Sequence, residues 1–287
     1  MASQVAHGAS RVLGGVDAMN AHLPTPAGTM QSDSGLEVAT FPVPGSALAA
    51  TAVKQARSPA ALFIHGWEGG RRDMAGPMIE AAAAGFVCLD YDLRGHGATR
   101  GQREQVTLRG SVEDAVHAWD ALAAIPGVDA ESIAIVGTSF GGWLAALLTA
   151  ERPVRWLALR VPALYPDQWW DAPKESFDPD ALEAYRQGQP DRGSDRALAA
   201  CARFEGEVLL VWSGKDEVLP PVLADSFQVA FPAARSLTVR RIRDADHGLS
   251  GNGSRAEYRN LLGGWLSGSL AACRRRWLAQ VLHPDPV

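Results

Sequence analysis

The stretch IVGTSFGGW, residues 135–143, places Ser139 between glycines at positions 137 and 141. Apolar residues 133–136 lead into it, and an apolar helical pattern follows from Trp143. The pattern predicts a strand, a tight turn and a helix, with the serine hydroxyl at the apex of the turn. Both glycines have a steric reason, because a Cβ atom at either position would clash where strand and helix cross. The alternative is a serine that only caps the helix.

The chain around this turn alternates between apolar strands and helical patterns from about residue 35. The apolar runs that predict strands are residues 61–66, 86–92, 132–137, 156–161, 207–214 and 236–242. Strands that alternate with helices indicate a mostly parallel sheet with helices on both faces, so the predicted fold class is α/β. Between the second and third of these strands, Ser111 is predicted to begin a helix, with Asp114 completing a capping box.

The alternation divides the chain into three regions. Residues 1–33 are rich in Gly, Ser, Ala and Pro and predict a loosely held arm. Residues 34–162 and 206–287 form the predicted α/β core. Residues 163–205 mix Pro, Asp and aromatic residues, and they predict a small cap inserted between two strands.

A serine hydroxyl is a weak nucleophile at neutral pH, so it needs a base, and the base needs an acid that orients it. In a parallel sheet these groups belong on loops that follow later strands. Asp216 follows the strand at 207–214, and His247 follows the strand at 236–242. The order Ser139, Asp216, His247 is the one expected for this kind of turn. Carboxylates near the predicted acid remain as alternatives at Glu217, Asp244 and Asp246.

Attack on a carbonyl produces an oxyanion, which backbone N–H groups usually stabilise. The helix that begins after Ser139 offers the N–H of Phe140. The glycine-rich loop HGWEGG, residues 65–70, follows an earlier strand and offers the N–H of Trp67. An ordinary strand-to-helix turn is the alternative interpretation of this loop. His96 lies on another loop at the same edge, and we interpret it as structural.

Five segments in order carry a resemblance to a known family. They are HGWEGG, DYDLRGHG, GTSFGG, SGKDEVLP and DADHG, spread over about residues 60–250. The chain resembles the α/β-hydrolase superfamily of serine hydrolases, and it is similar to monoglyceride-lipase and serine-aminopeptidase-type members. In those members an Asp-x-Arg-Gly-x-Gly loop, matched here by residues 92–97, is mainly architectural. The resemblance implies the α/β-hydrolase fold and a covalent acyl-enzyme, with no metal and no organic cofactor.

The predicted function is hydrolysis of an ester or a related small acyl compound. Thioesterase or acyltransferase activity would use the same residues. An aminopeptidase would need a carboxylate that binds the substrate ammonium, and the cap offers Asp167, Asp171, Glu175 and Asp178. A binding protein without catalysis is the third alternative, which the intact Ser-Asp-His set disfavours.

The cap is short and polar compared with the lids of lipase-like relatives, which disfavours a long-chain lipid substrate. Trp169 and Trp170 are the candidate substrate-binding residues within it. Each either anchors the cap to the core or faces the cleft and limits the acyl pocket. We therefore expect short acyl groups to be preferred, with efficiency falling beyond roughly eight carbons because little apolar area is available to enclose a longer chain.

Composition narrows the remaining possibilities. The net charge of −5, with both signs interspersed, argues against a nucleic-acid partner. No apolar run approaches the roughly 18 residues of a membrane span, and the N-terminus lacks the apolar core of a secretory signal. The three cysteines are far apart and are not in metal-ligand spacing. A cytoplasmic location is expected, and the oligomeric state is left open.

Overall fold

A computed structural model describes residues 28–31, 35–42 and 49–282. The first three strands form a small antiparallel sheet: β1 (Gly28–Gln31), β2 (Leu36–Pro42) and β3 (Ala49–Gln55). Strand β1 falls inside the segment 1–33 that the sequence predicts to be an arm. Residues 1–27, which make up most of that segment, lie outside the described residues.

The second sheet carries the predicted parallel strands. In chain order they are β4 (Ser58–Ile64), β5 (Val87–Asp90), β6 (Val128–Thr138), β7 (Trp156–Arg160), β8 (Glu207–Ser213) and β9 (Ser236–Ile242). They are arranged as β5-β4-β6-β7-β8-β9, and every neighbouring pair is parallel. The predicted α/β class, with a mostly parallel central sheet flanked by helices, is confirmed.

Helices cover both faces of this sheet. They are α1 (Arg71–Ala83), α2 (Leu108–Ala123), α3 (Phe140–Glu151), α4 (Pro179–Gln187), α5 (Arg196–Arg203), α6 (Val222–Gln228) and α7 (Asn252–Leu282). Alternate residues of β4 enter two separate cores, because successive side chains of a strand point to opposite faces. Leu62 packs with residues of α2 and α3, whereas Phe63 packs with residues of α1 and α7. The continuous apolar runs in the sequence follow from this burial on both faces.

The order of the strands creates a switch point. The chain passes from β4 outward to β5, then returns to the other side of β4 to form β6, and continues outward through β7, β8 and β9. The direction of winding therefore changes between β4 and β6. In open α/β sheets a crevice for ligands lies at the carboxyl ends of such strands. Ser139 follows β6 at this edge, and the loop His65–Gly70 follows β4.

The segment 163–205 lies between β7 and β8 and holds four short elements. They are 3-10 turns at Asp167–Trp169 and Lys174–Ser176, helix α4 and helix α5. Two backbone hydrogen bonds attach it to the start of α2, from Arg109 N–H to the Trp170 carbonyl (3.1 Å) and from Lys174 N–H to the Val106 carbonyl (2.7 Å). Helix α5 packs against α3 and places Leu198 in the main core, so this end of the segment also covers the sheet.

Helix α2 begins earlier than the sequence pattern predicts. Its N-cap is Thr107, whose hydroxyl accepts a hydrogen bond from the Gly110 N–H (3.0 Å). Ser111 lies inside the first turn and donates to the Thr107 carbonyl (2.9 Å), while Asp114 pairs with Arg94. The prediction that Ser111 and Asp114 form a capping box is therefore wrong, because a threonine four residues earlier takes the cap.

Among the described helices, none combines the length and the apolar character needed to cross a membrane.

Candidate active site

Ser139 occupies a strained turn between β6 and α3. Its backbone has φ 54° and ψ −115°, a region that L-residues with a side chain rarely adopt. The surrounding chain holds this conformation, since the Ser139 N–H donates to the Arg160 carbonyl (2.9 Å) and the Ser139 carbonyl accepts from Ala163 N–H (3.1 Å). Strain that is imposed in this way usually marks a functional position.

The two glycines of the motif permit the close approach of strand and helix that the sequence predicts. A Cβ atom at Gly137 would lie 2.2 Å from the carbonyl oxygen of Gly141. A Cβ atom at Gly141 would lie 2.2 Å from the carbonyl oxygen of Ile64, at the end of β4. Any side chain at these positions would therefore push apart β6, α3 and the loop after β4, so the turn depends on both glycines.

The three residues predicted to form a triad come together in the structure. His247 Nε2 lies 3.0 Å from Ser139 Oγ, and His247 Nδ1 lies 2.9 Å from Asp216 Oδ2. Ser139 follows β6, Asp216 follows β8 and His247 follows β9, so three strands deliver the side chains to one edge of the sheet. The arrangement links a hydroxyl, an imidazole and a carboxylate by hydrogen bonds in series.

Asp216 is held as a carboxylate. Burial alone would favour the neutral acid, but hydrogen bonds from His247 and from the backbone N–H groups of Leu219 and Val218 outweigh it and lower the pKa of Asp216. Both backbone bonds reach Oδ1 at 2.9 Å. The alternative acids have other partners, since Asp246 accepts from Ser250 and Asp244 pairs with Lys215. Among the described residues, Glu217 accepts the His247 backbone N–H alone, at 3.5 Å.

The loop that carries His247 is tied to the sheet by Arg160, the last residue of β7. The Nη2 atom of Arg160 donates to the His247 carbonyl at 2.8 Å, and the guanidinium carbon lies 5.7 Å from the ring centroid of Tyr258. Arg160 is 5% exposed, and burial lowers its pKa. A second bond, from Ser213 Oγ to the Asp246 carbonyl (2.8 Å), holds the same loop. Arg160 could not be identified from the sequence, because a charged residue at the end of an apolar strand gives no indication of its partner.

Two backbone N–H groups are available beside Ser139. Phe140 is the first residue of α3, and Trp67 lies on the loop after β4, whose Gly66 would place a Cβ atom 3.4 Å from the Cβ atom of Ser139. Within the described residues, neither the Trp67 nor the Phe140 N–H donates a hydrogen bond. Both therefore remain candidate donors to an oxyanion, as the sequence predicts.

Two histidines support the loop that carries Trp67. His96 Nε2 hydrogen-bonds to the Trp67 carbonyl, and its Nδ1 lies 3.2 Å from the Arg94 carbonyl. His65 Nε2 accepts from the Leu93 N–H at 3.1 Å, and burial lowers the pKa of His65. These contacts join the loop after β4 to the loop after β5, which agrees with a structural role for His96.

The cap places two consecutive residues on the ring of Trp67. Glu175 Oε1 accepts from Trp67 Nε1 at 3.0 Å, and Lys174 Nζ lies 4.2 Å from the ring centroid. Arg103 approaches the same ring at 4.7 Å and pairs with both Glu175 and Glu68. Lys174 could not be identified from the sequence, since only the folded cap brings it to Trp67.

The candidate substrate-binding residues of the cap pack mainly within the cap and against the core. Trp170 lies 3.8 Å from the Arg196 guanidinium carbon and 6.1 Å from the ring of Trp143. Trp169 packs on Phe177 with ring centroids 4.7 Å apart. These contacts favour the anchoring interpretation for Trp170, and a pocket-lining role for either tryptophan stays a prediction.

The carboxylates that an aminopeptidase could use are already engaged. Asp167 pairs with Arg196 (2.9 Å), and Asp171 pairs with Arg109 (2.5 Å). Asp178 caps α4 by accepting backbone N–H groups. Glu175 is bound to Trp67 and Arg103, so each of the four has a partner within the protein.

A groove of about 420 Å³ lies elsewhere, between α7 and the first residues of β8 and β9. Its lining includes Glu207, Ser236 and Trp265. These strand starts are at the opposite edge of the sheet from Ser139, so the groove is separate from the triad. Nowhere in the described ranges do three or more His, Cys, Asp or Glu side chains gather as they would around a metal ion.

Comparisons with known proteins agree with this architecture. A family described as "alpha/beta hydrolase fold" matches residues 59–177, which include the turn at Ser139 and the loop at Trp67. No curated protein matches the sequence.

Solved structures resemble the chain more extensively. Est1E from Butyrivibrio proteoclasticus, solved with ferulic acid bound, superposes with a TM-score of 0.58 at 17% identity, covering 85% of this chain and 100% of its own. A monoacylglycerol lipase from Paleococcus ferrophilus superposes with a TM-score of 0.56 at 16% identity, covering 74% of this chain and 96% of its own. A structure from work on the metagenome-derived lipolytic enzymes LipS and LipT superposes with a TM-score of 0.55 at 19% identity, covering 76% of this chain and 96% of its own. Identities this low show the shared fold alone.

Proposed function

We propose that this chain, which has the α/β-hydrolase fold, is a serine hydrolase that cleaves a carboxylic ester through an acyl-enzyme. The observation that carries the proposal is the pair of hydrogen bonds at His247, to Ser139 Oγ on one ring nitrogen (3.0 Å) and to Asp216 on the other (2.9 Å). An imidazole held in this way can take a proton from the hydroxyl while the carboxylate stabilises the resulting cation.

In the first half of the reaction, Ser139 Oγ attacks the carbonyl carbon of the ester and its proton passes to His247 Nε2. The carbonyl oxygen becomes an oxyanion, which accepts hydrogen bonds from the backbone N–H groups of Trp67 and Phe140. Collapse of this intermediate breaks the bond to the alkoxy oxygen. His247 then returns the proton to that oxygen, the alcohol leaves, and the acyl group remains on Ser139.

In the second half, water takes the place of the alcohol. His247 removes a proton from the water, the hydroxide oxygen attacks the acyl carbon, and the same two N–H groups receive the new oxyanion. The proton returns to Ser139 Oγ as the carboxylic acid leaves. Asp216 keeps its charge throughout, which the lowered pKa of its carboxyl supports.

The cap supports an ester over an aminopeptidase substrate. Its four candidate carboxylates each bind a group of the protein, namely Arg196, Arg109, the start of α4, or Trp67 with Arg103. A substrate ammonium would have to displace one of these partners. Thioesterase or acyltransferase activity uses the same three residues and stays an alternative, which acyl-CoA substrates and added alcohol acceptors would test.

A fluorophosphonate probe tests the proposal directly, because it reacts with an activated serine. We expect the wild-type protein to be labelled at Ser139, and we expect Ser139→Ala to lose both labelling and hydrolysis of p-nitrophenyl esters. Ser176→Ala is the matched control, since Ser176 lies on the exposed turn of the cap. Wild-type protein that neither reacts with the probe nor hydrolyses any ester would refute the proposed function.

A further inference from the structure

Lys174 places an ammonium group within a cluster of aromatic rings. Its Nζ lies 4.2 Å from the ring centroid of Trp67, 5.3 Å from that of Tyr165 and 5.5 Å from that of Phe140. Two of these rings belong to the residues whose N–H groups are the proposed oxyanion donors. The ammonium therefore lies against the side chains of both proposed oxyanion donors.

This ammonium has no anionic partner in the described part of the chain. The two nearest carboxylates, Glu68 and Glu175, are both bound to Arg103, at 2.6 Å and 2.8 Å. A second arginine, Arg186, donates to the Leu164 carbonyl at 3.2 Å and adds positive charge near Lys174. Aromatic faces stabilise a cation by about 0.5–2 kcal/mol, but they do not neutralise it.

A partly buried cation without a counter-ion favours a ligand that supplies the negative charge. Burial, followed by repulsion from Arg186, lowers the pKa of Lys174 to about 8. A bound carboxylate would oppose both effects, because pairing with the ammonium favours its charged form. The need for a negative charge comes from the site itself, because Glu68 and Glu175 are both paired with Arg103.

We propose that Lys174 is the anion receptor of the active site, and that the preferred substrate is an ester that carries a carboxylate. This inference rests on the proposed function and specifies its substrate class. The carboxylate belongs either to the acyl part or to the alcohol part of the ester. In both cases the Lys174 ammonium pairs with the same chemical group. Lys174 acts here as a specificity-determining residue and takes no part in bond cleavage.

Matched pairs of esters test the proposal. Monomethyl succinate and methyl 4-oxopentanoate have nearly the same shape, but only the first carries a carboxylate, on the acyl side. Acetoxyacetate and acetoxyacetone form the corresponding pair for the alcohol side. The readout is the ratio of kcat/KM for the charged ester to kcat/KM for its neutral partner, measured for each variant. Monomethyl esters of longer diacids then measure how far the anion site lies from the carbonyl.

Wild-type protein should favour the charged member of at least one pair by about tenfold or more, the scale of one charge-assisted hydrogen bond. Lys174→Met should bring the ratio to about one or below, and Lys174→Arg should keep most of the preference. Methionine is suited to the aromatic cluster because its sulfur packs well against rings, so the fold should persist. Arg192→Met is the control, since it removes an exposed cation from the same cap and should keep the wild-type ratio.

The preference should also fall as pH rises through about 8, because Lys174 loses its charge there. The charged or titratable groups around it are Arg103, Arg186, Glu68, Glu175, Tyr165 and His96. Burial raises the pKa of Tyr165, which keeps its hydroxyl neutral there. Lys174→Arg provides the check, since its ratio should stay constant across the same interval.

A binding measurement distinguishes failure of the proposed anion site from failure of the proposed function. Calorimetry with monomethyl succinate and with acetoxyacetate on Ser139→Ala, which cannot turn over substrate, should show binding that Lys174→Met removes in the same background. Equal kcat/KM for charged and neutral esters, or a preference or binding that survives Lys174→Met, would overturn the anion site. Absence of labelling and hydrolysis in the wild-type protein would instead overturn the proposed function.

Discussion

The guanidinium of Arg160 donates a hydrogen bond of 2.8 Å to the backbone carbonyl of His247. The bond joins the end of β7 to the loop that follows β9, across the intervening strand β8. It places a buried cation under the histidine that is proposed to act as the base. The position of the imidazole relative to Ser139 therefore depends on a residue that does not contact substrate in the proposed reaction.

Arg160→Met should lower kcat by on the order of tenfold while changing KM little, because the histidine loop loses the donor that fixes it. Arg160→Lys should recover part of this loss, since an ammonium can still donate to the carbonyl. Steady-state kinetics on a p-nitrophenyl ester provides the measurement. Arg240→Met is the control, because Arg240 is exposed and its side chain donates to the neighbouring Val239 carbonyl. If Arg160→Met and Arg240→Met have the same kcat, the contact between Arg160 and the His247 carbonyl has no positioning role.

Asp216→Asn should reduce kcat by about 10³- to 10⁴-fold, because an amide cannot hold the imidazole in the required tautomer or stabilise its cation. Glu217→Gln and Asp246→Asn should cost far less, since neither side chain reaches the imidazole ring. The three variants should be compared at saturating substrate. A larger loss at Asp246 than at Asp216 would show that the acid is misassigned.

The pH dependence of stability should also depend on Asp216. Its pKa is lowered in the folded protein, so the carboxylate contributes stability above the ordinary aspartate pKa of about 3.9, and the contribution is lost as pH falls through the lower folded value. We expect the difference in unfolding free energy between wild type and Asp216→Asn to shrink as pH is lowered below about 4. Urea denaturation at several pH values measures it, and a difference that grows towards acid would contradict this account.

Ser139→Gly should be more stable than Ser139→Ala by about 1 kcal/mol, although both should be inactive. At φ 54° and ψ −115° an alanine keeps the backbone strain, whereas glycine relieves it at a smaller cost in chain entropy. The midpoints of urea unfolding provide the comparison. Ser267 offers a control of opposite sign, because at this exposed position within α7 glycine should be less stable than alanine. Equal midpoints for the two Ser139 variants would mean that the turn stores no strain.

Trp170→Ala should lower the melting temperature more than Trp169→Ala, because Trp170 packs against Arg196 and also against Trp143 in the core. The loss should be about 2–3 kcal/mol, somewhat below that of a fully buried tryptophan. Thermal unfolding measures this effect, and p-nitrophenyl esters of graded length measure the acyl preference. A shift of that preference to longer chains in Trp170→Ala, without loss of stability, would instead favour the pocket-lining interpretation.

Much of the fold could be predicted from the sequence because its pattern is local. The apolar runs that became β4 to β9 are buried on both faces of a parallel sheet, and such strands are continuous in sequence. The small sheet of β1 to β3 was not predicted, since antiparallel pairing is decided between segments that carry only weak patterns of their own. The start of α2 was misplaced because Ser111 and Asp114 fit a capping box as well as Thr107 fits a cap.

Some residues of the candidate site could likewise be predicted from the sequence, and others could not. Ser139, Asp216 and His247 could be placed because each follows a predictable strand, and parallel strands bring their carboxyl ends to one edge. Arg160 and Lys174 could not be placed, since their partners are a carbonyl 87 residues away and a ring on another loop. Contacts of this kind depend on the path of the folded chain, and no spacing in the sequence encodes them.

The proposed nucleophile and its base belong to strands of unequal protection. β6 lies between β4 and β7, whereas β9 is the last strand of the sheet and is much more exposed. Fraying of β9 would carry His247 away while the turn at Ser139 stays closed by its neighbours, because local opening begins where burial is least. Catalytic competence would then vanish before global unfolding begins, so an inactivation midpoint would measure the opening of one edge strand, and hydrogen exchange should be faster in β9 than in β6.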